Sequence, residues 1–550
     1  MTFHRVFQPI VELPLTSVVG HVVITRFTEG ASSKLMLAQS APVGVGSNVE
    51  TTTTEAASPC RARCKVGLAQ SGRVARVHPR GRASAHHSRR KPPTTVKLNG
   101  KVFLAASGPV ASQPGNIPPL TPPTSFTLAA PLAAVIFLVT IGLVIARPWR
   151  LTEAYAALLG AVAMVLAGLV SPGSAVSDVA GHWNVLLFFV GLTGAAAVAE
   201  RSGLFEALAG TSARLSGGNP RRLLVAVVAT GAVVAALLSN DAAALVLTPV
   251  VYVLVARFGL APLPYVLACT FVADAASIAL PVSNPVNVIV SDRLGVSAAA
   301  LVPVLLPAAV ASVVALLGCI YVIYRRQLPA RAPLLPPSDS WASWSAVPRR
   351  LLAAFGVAVG AFAVASALNL PLGPTMTAVW LLLLGVEWTC RRFNRPLEGI
   401  GWSLLVFVAS MGVLVDGLSS AGITAWLAQV ILGQVRDSPA AVMVVTAFAS
   451  AAGSNLVNNL PAAFVFADAV QGAGLSAASA HAAAIGTIIG SDLGPNLTPV
   501  GSVATLLWFV LLRQRGLEVS TWSYIRVGLI VTPVTILAAL SVALLLGVPR

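Results

Sequence analysis

From Leu128 onward the chain runs in apolar stretches, many of eighteen or more residues without a charge. As helices rising 1.5 Å per residue, stretches of that length cross the ~30 Å hydrocarbon core of a bilayer. In lipid, every backbone N–H and C=O must find its partner inside the protein, so such stretches are helical. The expected fold is therefore an all-α polytopic membrane protein, and a soluble globular enzyme is excluded. Composition agrees: 56% of residues are hydrophobic and 10% charged, against roughly 45–50% apolar in soluble domains. The apolar stretches fall at about 128–146, 152–171, 183–200, 222–256, 264–290 and 300–324, then at 350–368, 373–390, 402–418, 439–467, 481–512 and 526–547.

The formal net charge of +17 invites a nucleic-acid reading, but residues 1–127 hold 15 Lys/Arg against 4 Asp/Glu. The excess belongs to an Arg-, Ser-, Thr- and Pro-rich tail without helical or strand periodicity, which its composition predicts to be disordered. Three readings of the tail stay open: a solvated basic arm, an electrostatic contact with anionic lipid or nucleic acid, and a start codon assigned too far upstream. No nucleic-acid partner is expected. Cys60 and Cys64 with His78, His86 and His87 lack the spacing of a closed metal site. No metal or other cofactor is expected.

The segments divide into two similar sets, 128–325 and 350–548, joined by a Pro- and Arg-bearing linker at 326–349. Trp183 and Gly203 are answered by Trp402 and Gly422, and Leu186-Leu187 by Leu404-Leu405. Ser239-Asn240 matches Ser454-Asn455, and Asp274 with Pro281-Val282 matches Asp492 with Pro499-Val500. The pattern predicts a duplicated unit of about five transmembrane helices, each unit holding a re-entrant hairpin and a broken helix. An odd number of crossings per unit places the two copies in opposite orientations, the inverted-repeat architecture of secondary transporters. Assigning alternate loops to two sides leaves Arg293, Arg436 and Arg550 on one face and the other arginines from Arg147 on at the opposite one. The arginine-rich face is then cytoplasmic and both termini lie outside.

Polar breaks interrupt the apolar segments in two pairs. The first comprises Ser239, Asn240 and Asp241, then Asp274 followed by Ser283, Asn284 and Asn287. The second comprises Ser454, Asn455, Asn458 and Asn459, then Asp492 followed by Asn496, Thr498, Gly501 and Ser502. Unwound backbone at membrane depth is tolerated only where it is buried in protein or lines a cavity, so these residues are the candidate solute- and ion-binding groups. A carboxylate at the centre of a membrane helix costs roughly 2.5–3.5 kcal/mol unless it meets water, a cation or hydrogen-bond donors. A carboxyl so placed can take a proton in one access state and release it in the other, and Asp274 and Asp492 are the candidates for proton coupling. The alternative is that Ser, Asn and Pro only turn the chain at the membrane surface and that the acids only hold helix ends. Glu200, Glu387 and Asp416 lie near segment ends, where they can snorkel to water.

At these breaks the sequence resembles the arsenical pump membrane protein family, the arsenite and antimonite exporters of the ion transporter superfamily. The matching stretches run from Asn240-Asp241 to Thr248-Pro249, from Ala273-Asp274 through Asn287, over Asn458-Asn459-Leu460-Pro461, and from Asp492-Leu493-Gly494-Pro495-Asn496 to Trp508. The resemblance covers roughly residues 128–548. It implies a multi-pass protein of the cell membrane that is not an enzyme and exports trivalent metalloid in exchange for protons, with a soluble ATPase subunit in some systems and a homodimer as an open possibility. Family members often carry Gly where this chain has Ala242 and Lys where it has Asn496. The superfamily also holds sodium- or proton-coupled carriers of dicarboxylates and sulfate and sodium/proton antiporters, which are the alternative reading. Two intramembrane aspartates also suggest an aspartyl protease, but Gly490-Ser491-Asp492 lacks the second Gly of its motif. No GxxxxGK[ST] phosphate loop occurs either, so the chain is not expected to hydrolyse ATP.

Overall fold

The computed structural model describes residues 128–148, 151–329, 347–390 and 399–547. The basic tail with Cys60 and Cys64, and most of the 326–349 linker, lie outside the described residues. The first half holds α1 (Ala129–Ala146), α2 (Glu153–Leu166), α3 (Pro172–Gly181), α4 (Trp183–Arg201), α5 (Leu204–Ser216), α6 (Pro220–Leu237), α7 (Thr248–Arg257), α8 (Leu263–Ser277), α9 (Pro285–Leu294) and α10 (Ala298–Tyr324). The second holds α11 (Arg349–Ala367), α12 (Leu372–Thr389), α13 (Trp402–Ser420), α14 (Ile423–Leu432), α15 (Pro439–Val457), α16 (Asn459–Gly472), α17 (Ala477–Leu493), α18 (Val503–Gln514) and α19 (Thr521–Gly547). Among the described residues these helices and short 3-10 and π turns make up the regular structure, with no strand. Eight of the helices are long and apolar enough to cross a membrane.

Local chemistry sets many of the boundaries. Thr152, Ser297, Ser438 and Ser476 cap α2, α10, α15 and α17 with side-chain oxygens that accept from backbone N–H groups of the first turn. Asn219 does the same for α6, where Pro220 occupies the first helical position and forgoes an N–H that would have no partner there. Gly203 and Gly422 both adopt a left-handed conformation, with φ +80° in each, and redirect the chain from α4 into α5 and from α13 into α14. These two short helices fall where the sequence reading had only loops. At 13 and 10 residues they are too short to span a bilayer.

The halves interlock. α4 packs against α12, α13 against α2, and α10 against α19, the last pair being 27 residues each. Gly486 and Gly490 on α17 and Gly494 just past its end recur every fourth residue, and a Cβ at each would run into α15 at Met443, Ala447 or Ala451. In lipid, helices associate through such close backbone approach, since the surrounding tails are as apolar as the side chains.

Glu387 does not snorkel: it is 2% exposed on α12 and accepts two hydrogen bonds of 2.8 Å from Arg201 on α4. A bidentate guanidinium offsets the desolvation of this carboxylate and ties the two halves together. Glu387→Ala is expected to lower the unfolding free energy by about 2 kcal/mol, moderated by the partial exposure of Arg201. Thermal unfolding of the detergent-solubilised protein tests this, and an unchanged midpoint would assign the pair no structural role.

Candidate functional site

Each half breaks twice. The first hairpin bends after α6, where the Ser239 hydroxyl accepts from the Ala242 N–H at 3.0 Å. The chain resumes as a π-helical turn, Ala242–Leu247, before α7, and such turns concentrate at functional sites. The second hairpin bends at Asn458, not at Ser454-Asn455. α15 continues through Val457, and within it Ser454 donates to the Ser450 carbonyl and Asn455 to the Ala451 carbonyl, both at 2.8 Å. Asn458 stands at φ +79°, ψ 155°, a region that side chains other than glycine rarely occupy. Such a backbone costs ~1–3 kcal/mol and persists where the surroundings over-determine it, typically at functional sites.

The broken helices follow the same plan. α8 ends three residues after Asp274, and the chain crosses 278–284 before Asn284 caps α9 by accepting from the Val286 N–H at 3.1 Å. α17 ends one residue after Asp492, and two 3-10 turns, Gly494–Leu497 and Pro499–Gly501, lead into α18. Gly501 fits only without a side chain, since a Cβ would meet the backbone of Pro495.

All four breaks meet. A cavity of about 170 Å³ is walled by Asn240 and Asp241 from the first hairpin, Asn284 from the first broken helix, Asn458 and Asn459 from the second hairpin, and Ser502 from the second broken helix. Both aspartates of the broken helices are buried, at 3% and 0% exposure. Asn240 donates to Asp274 Oδ1 at 2.9 Å, whereas Asp274 Oδ2 and Asn240 Oδ1 have no protein partner. Asp492, from the second half, accepts from Asn284 at 3.0 Å and from Ser277 at 3.0 Å, both in the first. The Ser277 hydroxyl also lies 2.9 Å from the Asp274 carbonyl, so a single serine connects the two acidic segments.

The other candidates from the sequence do not face the cavity. Ser283 donates to the Ala236 carbonyl at 2.8 Å, and Asn287 to the Ser277 and Leu280 carbonyls at 2.7 and 2.9 Å, which fixes the unwound 278–284 segment. Asn455 donates to the Gly494 carbonyl and accepts from Thr498, each at 2.8 Å, bracing the matching segment of the second half. Asn496 reaches the Phe271 carbonyl at 3.4 Å, and Ser454 stays within α15 and the Ser491 carbonyl. These residues shape the breaks rather than line the cavity. The sequence reading overlooked Glu153, in the first turn of α2, and Leu404, Phe407 and Leu507. Glu153 pairs with Arg147 at 3.1 Å; its only signal was an acid in the first turn of an apolar helix. Among the described lining residues there are two carboxylates, five amide or hydroxyl side chains and no lysine or arginine.

Apolar helices that break in pairs around one polar cavity define a membrane transporter. Residues 134–490 match the family model described as citrate transporter. The chain is 33% identical over 425 residues to the arsenical pump membrane protein of Escherichia coli (strain K12), covering 76% of this chain and 99% of that one. It is 32% identical over 435 residues to the protein of the same name from Yersinia enterocolitica, with the same coverage. The chain belongs to the arsenical pump membrane protein family of the ion transporter superfamily. Its fold is shared with the YdaH transporter of Alcanivorax borkumensis, at TM-score 0.51 and 15% identity over 76% of this chain and 97% of that one.

Proposed function

We propose that the chain is a secondary transporter that exports arsenite or antimonite across the cell membrane in exchange for protons. The observation that carries this reading is the cavity wall: Asn240, Asn284, Asn458, Asn459 and Ser502 supply donors and acceptors, while its charged groups are the acids Glu153 and Asp241. A neutral metalloid trihydroxide has three O–H donors and three acceptor oxygens, which such amides and hydroxyls match. A dicarboxylate or sulfate would face Asp241 with no lysine or arginine among the described lining residues, the guanidinium of Arg147 being engaged by Glu153, which is why the anion-carrier reading is the weaker one. The relatives named arsenical pump membrane protein support the same choice.

In this reading Asp274 and Asp492 carry the exchanged protons, since each is hydrogen-bonded to a cavity amide, Asn240 and Asn284 respectively. Solute entering the cavity competes for those amides, so binding and proton release are linked through one network. Opposed orientation of the halves lets the same site open alternately to either side. The crossed packing of α4 with α12 and α2 with α13 is what an internal two-fold relation produces. With the arginine-rich loops cytoplasmic, the wall formed by Glu153 and Leu404, each in the first turn of its helix, turns the cavity toward the cytoplasm. Any ATP-driven step requires a separate soluble subunit, because this chain has no phosphate loop.

Everted membrane vesicles from cells making the protein, offered radiolabelled arsenite, citrate, sulfate and sodium in turn, test the assignment. Arsenite accumulation that a proton ionophore abolishes is expected. Movement of citrate, sulfate or sodium in its place would select the alternative carrier.

A further inference from the structure

Behind the amide cavity lies an apolar chamber of about 480 Å³, within the ~300–1,000 Å³ span of small-molecule sites. Leu238, Leu280 and Val282 form one side of it, and Ala358 and Phe362 of α11 the other. Leu238 directly precedes Ser239 at the first hairpin tip, and Leu280 and Val282 flank Pro281 in the first broken helix. The chamber thus backs onto two of the segments that carry the solute site. Its mouth residues Val233, Leu237 and Val359 are 50%, 37% and 43% exposed, so it is continuous with the lipid-facing surface.

At its other end the chamber meets a second one of about 220 Å³, with Ala298 and Ser366 in the walls of both. This smaller chamber has a mixed lining, in which Asn184, Ser291, Asp292 and Ser297 supply polar groups. The Ser366 hydroxyl at the junction is buried without a hydrogen-bond partner. Asp292 is exposed and accepts from Asn184 at 2.9 Å. Among the described lining residues neither wall holds a lysine or arginine. Arg293, the next residue, pairs instead with Asp178 and Asp468, at 3.6 and 3.1 Å.

We propose that the joined chambers bind one phospholipid with a primary-amine, zwitterionic headgroup. One acyl chain fills the apolar chamber against the rear of Leu238 and Leu280, and the headgroup ammonium pairs with Asp292. Hydrocarbon is the solvent at the chamber mouth, and a chain that enters restores dispersion contacts the lining atoms otherwise lack. An anionic headgroup would meet Asp292 with no cation to offset it, whereas an ammonium gains a charge-assisted bond.

Native mass spectrometry of the full-length protein tests this, after exchange with equal amounts of phosphatidylethanolamine and phosphatidylglycerol. One tightly retained lipid per chain is expected, with ethanolamine favoured about fivefold, the upper range for a partly exposed ion pair. Asp292→Asn should bring that preference near unity with the lipid still held, and Ala358→Trp, which fills the apolar chamber, should remove the lipid. Equal retention of the two lipids by the unaltered chain, or lipid kept by the Trp variant, would overturn the site. Should Ala358→Trp fail to yield monodisperse protein, phosphatidylethanolamine with a photoreactive acyl terminus is cross-linked to the unaltered chain. Adducts on 233–238 and 355–367 are expected, and adducts only on the outward face of α1 would overturn the proposal.

Discussion

Asp492→Asn is expected to leave a protein that inserts and purifies normally but no longer couples arsenite movement to protons. The carboxylate accepts from Asn284 and Ser277 through its two oxygens. An asparagine replaces one acceptor with an N–H₂ that faces a donor, and it cannot carry the exchanged proton. Loss of a hydrogen bond to a charged group costs ~1.5–3 kcal/mol, about ten- to 150-fold in an equilibrium. Asp274→Asn should behave likewise through its bond from Asn240. Both are measured in everted vesicles as arsenite accumulation and as solute-triggered proton movement followed by a pH-sensitive dye. Full accumulation and full proton signal in both variants would remove these acids from the mechanism.

Gly490→Leu is expected to prevent folding. The glycine lies where α17 rides directly on α15, and even a methyl group there would strike the Ala447 carbonyl and the Ser450 hydroxyl. Neither obstacle is the free end of a flexible chain, so the helices must separate along a seam that also positions Asp492, two residues on. Overpacking of this kind costs about 1–3 kcal/mol and occasionally more. With the neighbouring contacts of Gly486 and Gly494 lost as well, the variant should appear as aggregate in size-exclusion chromatography. A monodisperse Gly490→Leu protein with an unchanged melting temperature would contradict the close seam.

Much of this organisation is legible in the residues because strong local signals coincide with it. Trp183 to Gly203 and Trp402 to Gly422 mark helices of 19 residues each, ended by glycines at the same positive φ. Asp274 and Asn284, like Asp492 and Ser502, stand out because polar residues in apolar segments are expensive without a purpose. The second break is marked in the sequence by Ser454, Asn455, Asn458 and Asn459 together, and the repeat of Ser239-Asn240 at Ser454-Asn455 does not show which of them turns the chain. The physical break needs a residue that tolerates positive φ, which is Asn458, while Ser454 and Asn455 bond back along a continuing helix. Glu387 could not be placed from its own segment, since its partner Arg201 lies 186 residues earlier and only the packing of α4 on α12 unites them. Glu153 was hidden for a related reason, because the cavity wall it joins is assembled from distant α13 and α18 residues. The short helices α5 and α14 escaped because neither is long enough to register as a span.

The most direct measurement is an electron cryomicroscopy map of the protein in a bilayer nanodisc with antimonite, whose heavy atom marks its own position. A peak enclosed by Asn240, Asn284, Asn458 and Ser502 near the middle of the membrane is the expected result. A peak elsewhere, or those four breaks lying at the headgroup level, would contradict a shared solute site built by two opposed halves.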